Sequence, residues 1–363
     1  MKLPPRGITT YLVLILLAWT TFNTFFAVNP DFSWPFWGRA WKTVAMCVVA
    51  ATMATNKVRV HTMIWVIALS LGYYGVRGGL FTLVTGGGNH VFGPADTMIA
   101  DNNELALALV MLLPILNYLR LHSGARYIRM GIIGVIVLCV TSILGSYSRG
   151  GYIALASVAI AFWLRTKKKL TYMLVAFIVL VPLFEFMPNS FYARVDSIQN
   201  YNSDDSFQGR VASWSVAYHY AMDHIPFGAG FYGINLPSVW QKYHPGELHA
   251  AHSIYFQTLG EQGVIGLALY LAIIGVAFLN LRATIRDTIG VPAFAWANDL
   301  ARAINLSLIA FCIGGAAAPM NFYDVFLLWV MLSATLHEQA RAQRAAQAGW
   351  IAGARPAVSG VPR

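Results

Sequence analysis

Residues 131–169 read GIIGVIVLCVTSILGSYSRGGYIALASVAIAFWLRTKKK: two apolar runs, a turn of a few residues, and a basic stop. Each run approaches the roughly 17–25 residues that a helix needs to cross a bilayer. In hydrocarbon a chain must satisfy its own backbone hydrogen bonds, which an α-helix does within one segment. The stretch therefore predicts a membrane hairpin, with helices over 131–147 and 150–164, Arg149 in its turn, and Arg165, Lys167, Lys168 and Lys169 at its end.

Working outward, runs of the same kind lie at about 9–28, 40–55, 62–84, 103–119, 170–187, 255–280, 304–320 and 323–338. The expectation is an all-α polytopic membrane protein of about ten transmembrane helices. Composition agrees: 57% of the 363 residues are hydrophobic and 11% charged, with mean hydropathy +0.57, whereas a soluble domain carries about 25% charged residues. The first run has no small-residue cleavage site and leads directly into more spans, so it reads as an anchor and not as a removable signal. Cys47, Cys139 and Cys312 fall in separate predicted helices and read as small buried apolar residues. No nucleic-acid partner is expected, because the basic residues flank membrane spans.

The Lys and Arg residues orient the bundle. With a cytoplasmic N-terminus, 18 of the 25 fall on inside segments. Seven remain outside: Arg39, Lys42, Arg77, Arg149, Arg194, Arg210 and Lys242. Both termini are then cytoplasmic, and Trp34, Trp37 and Trp41 mark an outer boundary. Residues 1–340 are expected to form one bundle, including a large outer loop of about 187–254, and 341–363 a cytoplasmic tail. Within that loop, GRVASWSVAYHYAMDH (209–224) sets Val211, Trp214, Ala217, Tyr218 and Ala221 on one stripe, which predicts an amphipathic helix on the bundle or the membrane surface. The glycines of FGAGFYGINLP (227–237) imply close backbone approach. Without a preceding strand they do not read as a nucleotide loop.

The informative charges are those that break the inside-positive pattern. Arg149, in a tight outer turn, reads either as part of an anion site or as a guanidinium reaching lipid phosphate. Arg77, among glycines in GYYGVRGGLF (72–81), carries the same two readings, and Arg210 reads as a surface charge or a loop ligand. Arginine suits diphosphate because its planar fork binds oxygens in pairs and keeps its proton. His252, just before the eighth span, is a general-base candidate or an interfacial helix cap. His249, Tyr255 and Glu261 stand nearby in sequence as supporting groups. The histidine spacing fits no zinc motif, and Asp204 and Asp205 form no DxD, so no metal site is expected. Asp101 with Glu104 reads as a capping box.

The runs SLGYYGVRGGLFTLVTGG (70–87), GPADTMIADNNELALALVMLLP (93–114), LGSYSRGGYIAL (144–155), GRVASW (209–214), GAGFYG (228–233) and AHSIYFQTLGEQGVIGL (251–267) resemble the O-antigen ligase family of inner-membrane glycosyltransferases. More narrowly they resemble the O-glycosylation ligases associated with the exosortase system. The resemblance spans about residues 60–280; members often carry one or two further N-terminal spans, whereas the first run here begins near residue 9. It implies transfer of a glycan from undecaprenyl diphosphate to an acceptor hydroxyl, usually on the lipid A core, at the periplasmic face of a bacterial inner membrane. The implied reaction is inverting and needs neither metal nor cofactor. The family histidine falls on His252 and its loop arginines on Arg149 and Arg210, with Arg77 and Tyr255 as less closely matched positions.

The same donor also serves an O-antigen or exopolysaccharide polymerase and a protein O-oligosaccharyltransferase, and nothing in the sequence reads the acceptor. A polysaccharide or lipid transporter is the non-enzyme alternative, but the sequence shows no inverted repeat or matched pair of broken helices. Reporter fusions after residues 125, 168 and 285 are expected to report cytoplasm, and fusions near 90 and 200 periplasm. A periplasmic signal at 168 would overturn this topology.

Overall fold

The computed structural model describes residues 7–166 and 205–353, together with positions 168–171, 173, 174, 177 and 181. Among them the regular structure is helical, with no strand. The helices are α1 (Ile8–Phe25), α2 (Pro30–Met53), α3 (Lys57–Val84), α4 (Asn102–His122), α5 (Arg126–Gly145), α6 (Arg149–Arg165), α7 (Asp205–Asp223), α8 (Pro237–Tyr243), α9 (Ile254–Thr288), α10 (Ala295–Gly314) and α11 (Asp324–Gly353). Nine of the ten expected spans coincide with helices; the span expected at 170–187 lies largely outside the described residues. By length and apolarity alone, six candidate spans stand out: α1, α3, α4, α5, α9, and α10 with its flanking turns. The chain is a multi-pass, all-α membrane protein.

The bundle is arranged around α4. Residues Leu105–Leu112 are buried through more than two full turns, so this helix is covered on every side. The lipid-facing helices behave differently. On α3, Val66, Leu69, Tyr73 and Leu80 are exposed, an apolar face that water would not tolerate and acyl chains accept. Its other face carries Gly75, Gly78 and Gly79 against α5, where a Cβ on Gly79 would come within 2.3 Å of the Leu138 carbonyl oxygen. Small residues of this kind let membrane helices approach backbone to backbone.

Two ends are distinct. At the basic end, Gln339 donates to the Ala54 carbonyl (2.8 Å), His122 pairs with Asp299 (3.0 Å), and Arg344 and Arg286 both bond Asp287 (2.7 and 2.9 Å). At the opposite end, Asn102 donates to the Ser146 carbonyl (2.6 Å), Val91 N–H to the Gly145 carbonyl (3.0 Å), and Val28 N–H to the Ala229 carbonyl (3.0 Å). The segment following residue 204 returns to this second end and packs there on α9.

Several boundaries differ from the sequence reading. α2 begins at Pro30, ten residues before the expected start, because Asn29 caps it by accepting from Phe32 N–H (3.1 Å) and Pro30 occupies the first turn. The last helix runs to Gly353, past the expected 338. The stripe of α7 is rotated: Ser213, Val216, Ala217, Tyr220 and Ala221 are buried, whereas Val211 and Tyr218 are exposed. Ser213 takes an inward position because its hydroxyl donates to the Ala250 carbonyl (3.1 Å), a bond that hydropathy does not register. Cys47 and Cys139 are buried and all three cysteines are free, as read from the sequence.

Candidate functional site

The site begins with a break in α9. Gly263 has φ +70°, a conformation that interrupts the helix and suits glycine. The carbonyls around the break find partners elsewhere: Gly260 accepts from Ala229 N–H (2.8 Å), Glu261 from Gly230 N–H (3.0 Å) and the Asn23 amide (2.7 Å), and Gln262 from the Trp19 indole (2.8 Å). A strap at residues 226–230 thus lies directly on the helix backbone. A Cβ on Gly228 would come within 2.3 Å of the Glu261 carbonyl group. The close approach inferred from the glycines is an approach to α9.

His252 stands where the chain re-enters the bundle. Its φ of +39° is unusual for a residue with a side chain, and the peptides around it are pinned. The Ala250 carbonyl accepts from Ser213 and the Ala251 carbonyl from the Trp214 indole (2.7 Å), while Trp214 stacks on Phe256. Ser253 then serves as the N-cap residue of α9 and makes no side-chain cap bond. Nδ1 of His252 is buried without a hydrogen-bond partner. Burial pushes its pKa below the ordinary 6.5; the nearby Arg210 charge acts in the same direction, Asp101 opposes, and His249 adds to the lowering. The imidazole is therefore neutral at pH 7.

Arg210 and His249 belong to the same neighbourhood. The His249 ring lies over Gly209, where a Cβ would come 2.6 Å from Nδ1, so the residue before Arg210 has no room for a side chain. Across from them, α4 presents its first turn. Asp101 caps it by accepting from Asn103 N–H (2.9 Å), but the expected box is only half formed: Glu104 is 6% exposed, and its Oε2 has no hydrogen-bond partner. Glu104 lies within electrostatic reach of both Asp101 and Arg210.

Arg149 opens α6 beside this turn. Its neighbour Ser148 caps α6 through Gly151 N–H (3.0 Å) and donates to Asn103 Oδ1 (2.8 Å), and Asn103 donates to Asp101 Oδ1 (2.9 Å). Tyr147, with φ +58°, stacks on His90 and fixes the turn. The structure thus gathers His252, His249 and Arg210 with Asp101 and Glu104, and sets Arg149 two side chains from Asp101. The other residues singled out from the sequence sit apart. Arg77 is exposed on the side of α3 away from Gly75, Gly78 and Gly79. Tyr255 donates to the Cys312 carbonyl (2.8 Å) and joins α9 to the end of α10. Glu261 is buried, with Oε1 accepting from Tyr232 N–H and the Gln257 amide (both 3.0 Å).

Sequence reasoning did not single out Ser213 or Asn103, which help position the site, and met Trp214 only as part of an apolar stripe. It met Glu104 only as a cap, although an acidic residue leading an apolar run is the signal that marks it. Among the described residues, no three His, Cys, Asp or Glu side chains are grouped as metal ligands.

Comparison with known proteins divides the chain in two. Residues 6–124 match a family described only as being of unknown function. Residues 134–271 match a family described as O-Antigen ligase. A search of curated proteins gave no match. The second match runs from α5 through Arg149, Arg210 and the glycine strap to His252 and the broken part of α9, and over these residues the chain is similar to the O-antigen ligase family, which supports a ligase- or polymerase-like membrane enzyme.

Proposed function

We propose that this protein transfers a glycan from undecaprenyl diphosphate to an acceptor hydroxyl on the lipid A core oligosaccharide, at the periplasmic face of the inner membrane. The observation that supports it most directly is a neutral, backbone-pinned His252 beside the Arg210 charge. A base and an anion site side by side are what glycosyl transfer from a lipid diphosphate requires.

On this reading, the acceptor oxygen attacks the anomeric carbon from the side opposite the diphosphate. The new C–O bond forms as the bond to the diphosphate oxygen breaks, and that oxygen keeps the electron pair. The proton of the acceptor hydroxyl passes to His252. The configuration inverts. Arg149 and Arg210 hold the diphosphate and stabilise the charge that grows on it, the kind of electrostatic help that acts most strongly in a site shielded from water. The leaving group is already an anion of low basicity, so it needs cations more than a proton donor. A polymerase and a protein-directed transferase would use the same chemistry with another acceptor. Deleting the gene and asking whether lipopolysaccharide, capsule or glycoprotein loses its glycan separates the three.

His252→Ala is expected to slow transfer by roughly 10²–10⁴-fold, the usual contribution of a general base, while binding of the lipid-linked donor stays near wild type. Arg149→Ala and Arg210→Ala should lose donor binding as well as turnover. Lys at either position should restore only part, because it lacks the paired fork. Wild-type turnover by a folded His252→Ala protein would refute the mechanism.

The pH profile carries its own sign. Transfer needs neutral His252, and the lowered pKa keeps it neutral to lower pH. kcat/KM should therefore hold flat on going down from pH 7 and fall through a pKa below 6.5. In Arg210→Gln that acid limb should move to higher pH, because a positive charge that disfavours the imidazolium is gone. An unmoved limb would separate Arg210 from the base. Turnover is also expected to persist in excess chelator; loss of activity restored by magnesium or manganese would overturn the metal-independent mechanism.

A further inference from the structure

We propose that Glu104, Gln257, Glu261 and Asn321 form an inner polar wall that binds the hydroxyl groups of a sugar, on the donor glycan or on the acceptor. The proposal rests on the glycosyl-transfer reading above and extends it to residues that the base and the anion site do not use.

All four side chains are at least nine-tenths buried: Glu104 is 6% exposed, Gln257 6%, Glu261 1% and Asn321 4%. Each nevertheless has a polar atom with no hydrogen-bond partner, namely Glu104 Oε2, Gln257 Oε1, Glu261 Oε2 and Asn321 Nδ2. Buried polar atoms are nearly always paired, and an unpaired one is costly unless something supplies the missing bond.

These atoms share one region. Gln257 and Glu261 are four residues apart on α9 and bonded to each other (3.0 Å). Asn321, in the turn before α11, stands beside the Glu261 carboxylate outside hydrogen-bond geometry. Tyr232, held by its N–H on Glu261, lies within electrostatic reach of both Glu261 and Glu104. Glu104 also feels Arg210, so its end of the wall lies beside the arginine while Glu261 lies further from it.

The chemistry of the wall selects its ligand. None of the four side chains is a cation that would hold a diphosphate, and four unmet polar atoms reject a lipid tail. A hydroxyl-rich neutral ring suits them, because each hydroxyl both donates and accepts. It would donate to the carboxylates and the Gln257 oxygen and accept from the Asn321 amide. Glu261 oxygens then serve two purposes, one bracing Tyr232 and the other facing the sugar.

The test uses the full-length protein in detergent, with Glu104→Gln and Asn321→Ala, and three probes: bare undecaprenyl diphosphate, the same lipid carrying the glycan of the producing strain, and free core oligosaccharide. Thermal midpoints establish that each variant is folded. Both variants are expected to bind one sugar-bearing probe about 10-fold or more weakly, the loss of a hydrogen bond to a charged or buried group, while bare undecaprenyl diphosphate binds within about 2-fold of wild type. A selective loss for the lipid-linked glycan assigns the wall to the donor, and one for the core oligosaccharide to the acceptor. Unchanged affinity for all three probes, the result for a wall that merely holds water, overturns the proposal, as does an equal loss that includes the bare lipid. If Glu104→Gln fails to fold, Asn321→Ala on a separate element carries the same expectation. Failure of the wild-type protein to bind bare undecaprenyl diphosphate would refute the catalytic reading instead, and leave the sugar wall to be judged on the free oligosaccharide.

Discussion

An interrupted helix inside a bilayer leaves carbonyls that neither lipid nor the helix itself can satisfy. At the break in α9 the carbonyls of Gly260, Glu261 and Gln262 are met by the strap at 226–230 and by Asn23 and Trp19 of α1. This requirement arranges much of that end of the bundle. It holds the strap against the bundle, and it draws α1 and α9 together, with Asn23 also accepting from Gly228 N–H. It also sets where the chain leaves toward α8 and returns at His252. Glycine at 228 and 263 is needed for contact in one case and for φ in the other. Beside the break the Glu261 side chain braces Tyr232 by accepting from its N–H.

The second constraint is α7. A single helix turn carries Arg210 and the two residues, Ser213 and Trp214, that bond the carbonyls before His252. Holding a non-glycine residue at positive φ costs on the order of 1–3 kcal/mol and persists only where neighbours dictate it. Here those neighbours lie on the helix that also supplies the cation. The placing of His252 relative to Arg210 is therefore tied to one helix. The first turn of α4 provides the facing side through Asp101 and Glu104. Since α4 is buried over most of its length, that side rests on a closely packed element.

Much of the helical layout was legible because an apolar run of bilayer length has few other meanings. The exceptions have local causes. α2 starts early because Asn29 and Pro30 make a cap that outweighs the polar and aromatic residues after it. The α7 stripe was misaligned because Ser213 is buried by hydrogen bonding and not by apolarity. For Glu104, sequence spacing offers a capping partner, and only the tertiary approach of α7 shows the carboxyl turned inward beside Arg210. Arg77 illustrates the reverse. Its neighbours Gly75, Gly78 and Gly79 occupy the packing face of α3, so helical periodicity alone directs Arg77 to the other side.

The closeness of Arg210 to His252 has a consequence for how the proposed reaction is ordered. In the empty site the guanidinium opposes protonation of the imidazole, which keeps the base available but makes it weak. A diphosphate held by Arg210 and Arg149 brings negative charge that cancels this field. The proton affinity of His252 then rises as donor binds, and falls again when the lipid diphosphate departs. The base is strongest only while a glycan is in place to be transferred, and it releases its proton as the product leaves. Replacing the arginine by a neutral polar residue would give a stronger base in the free enzyme but sever that link. On this argument the cation is required for more than affinity, because it couples proton transfer to the presence of the donor.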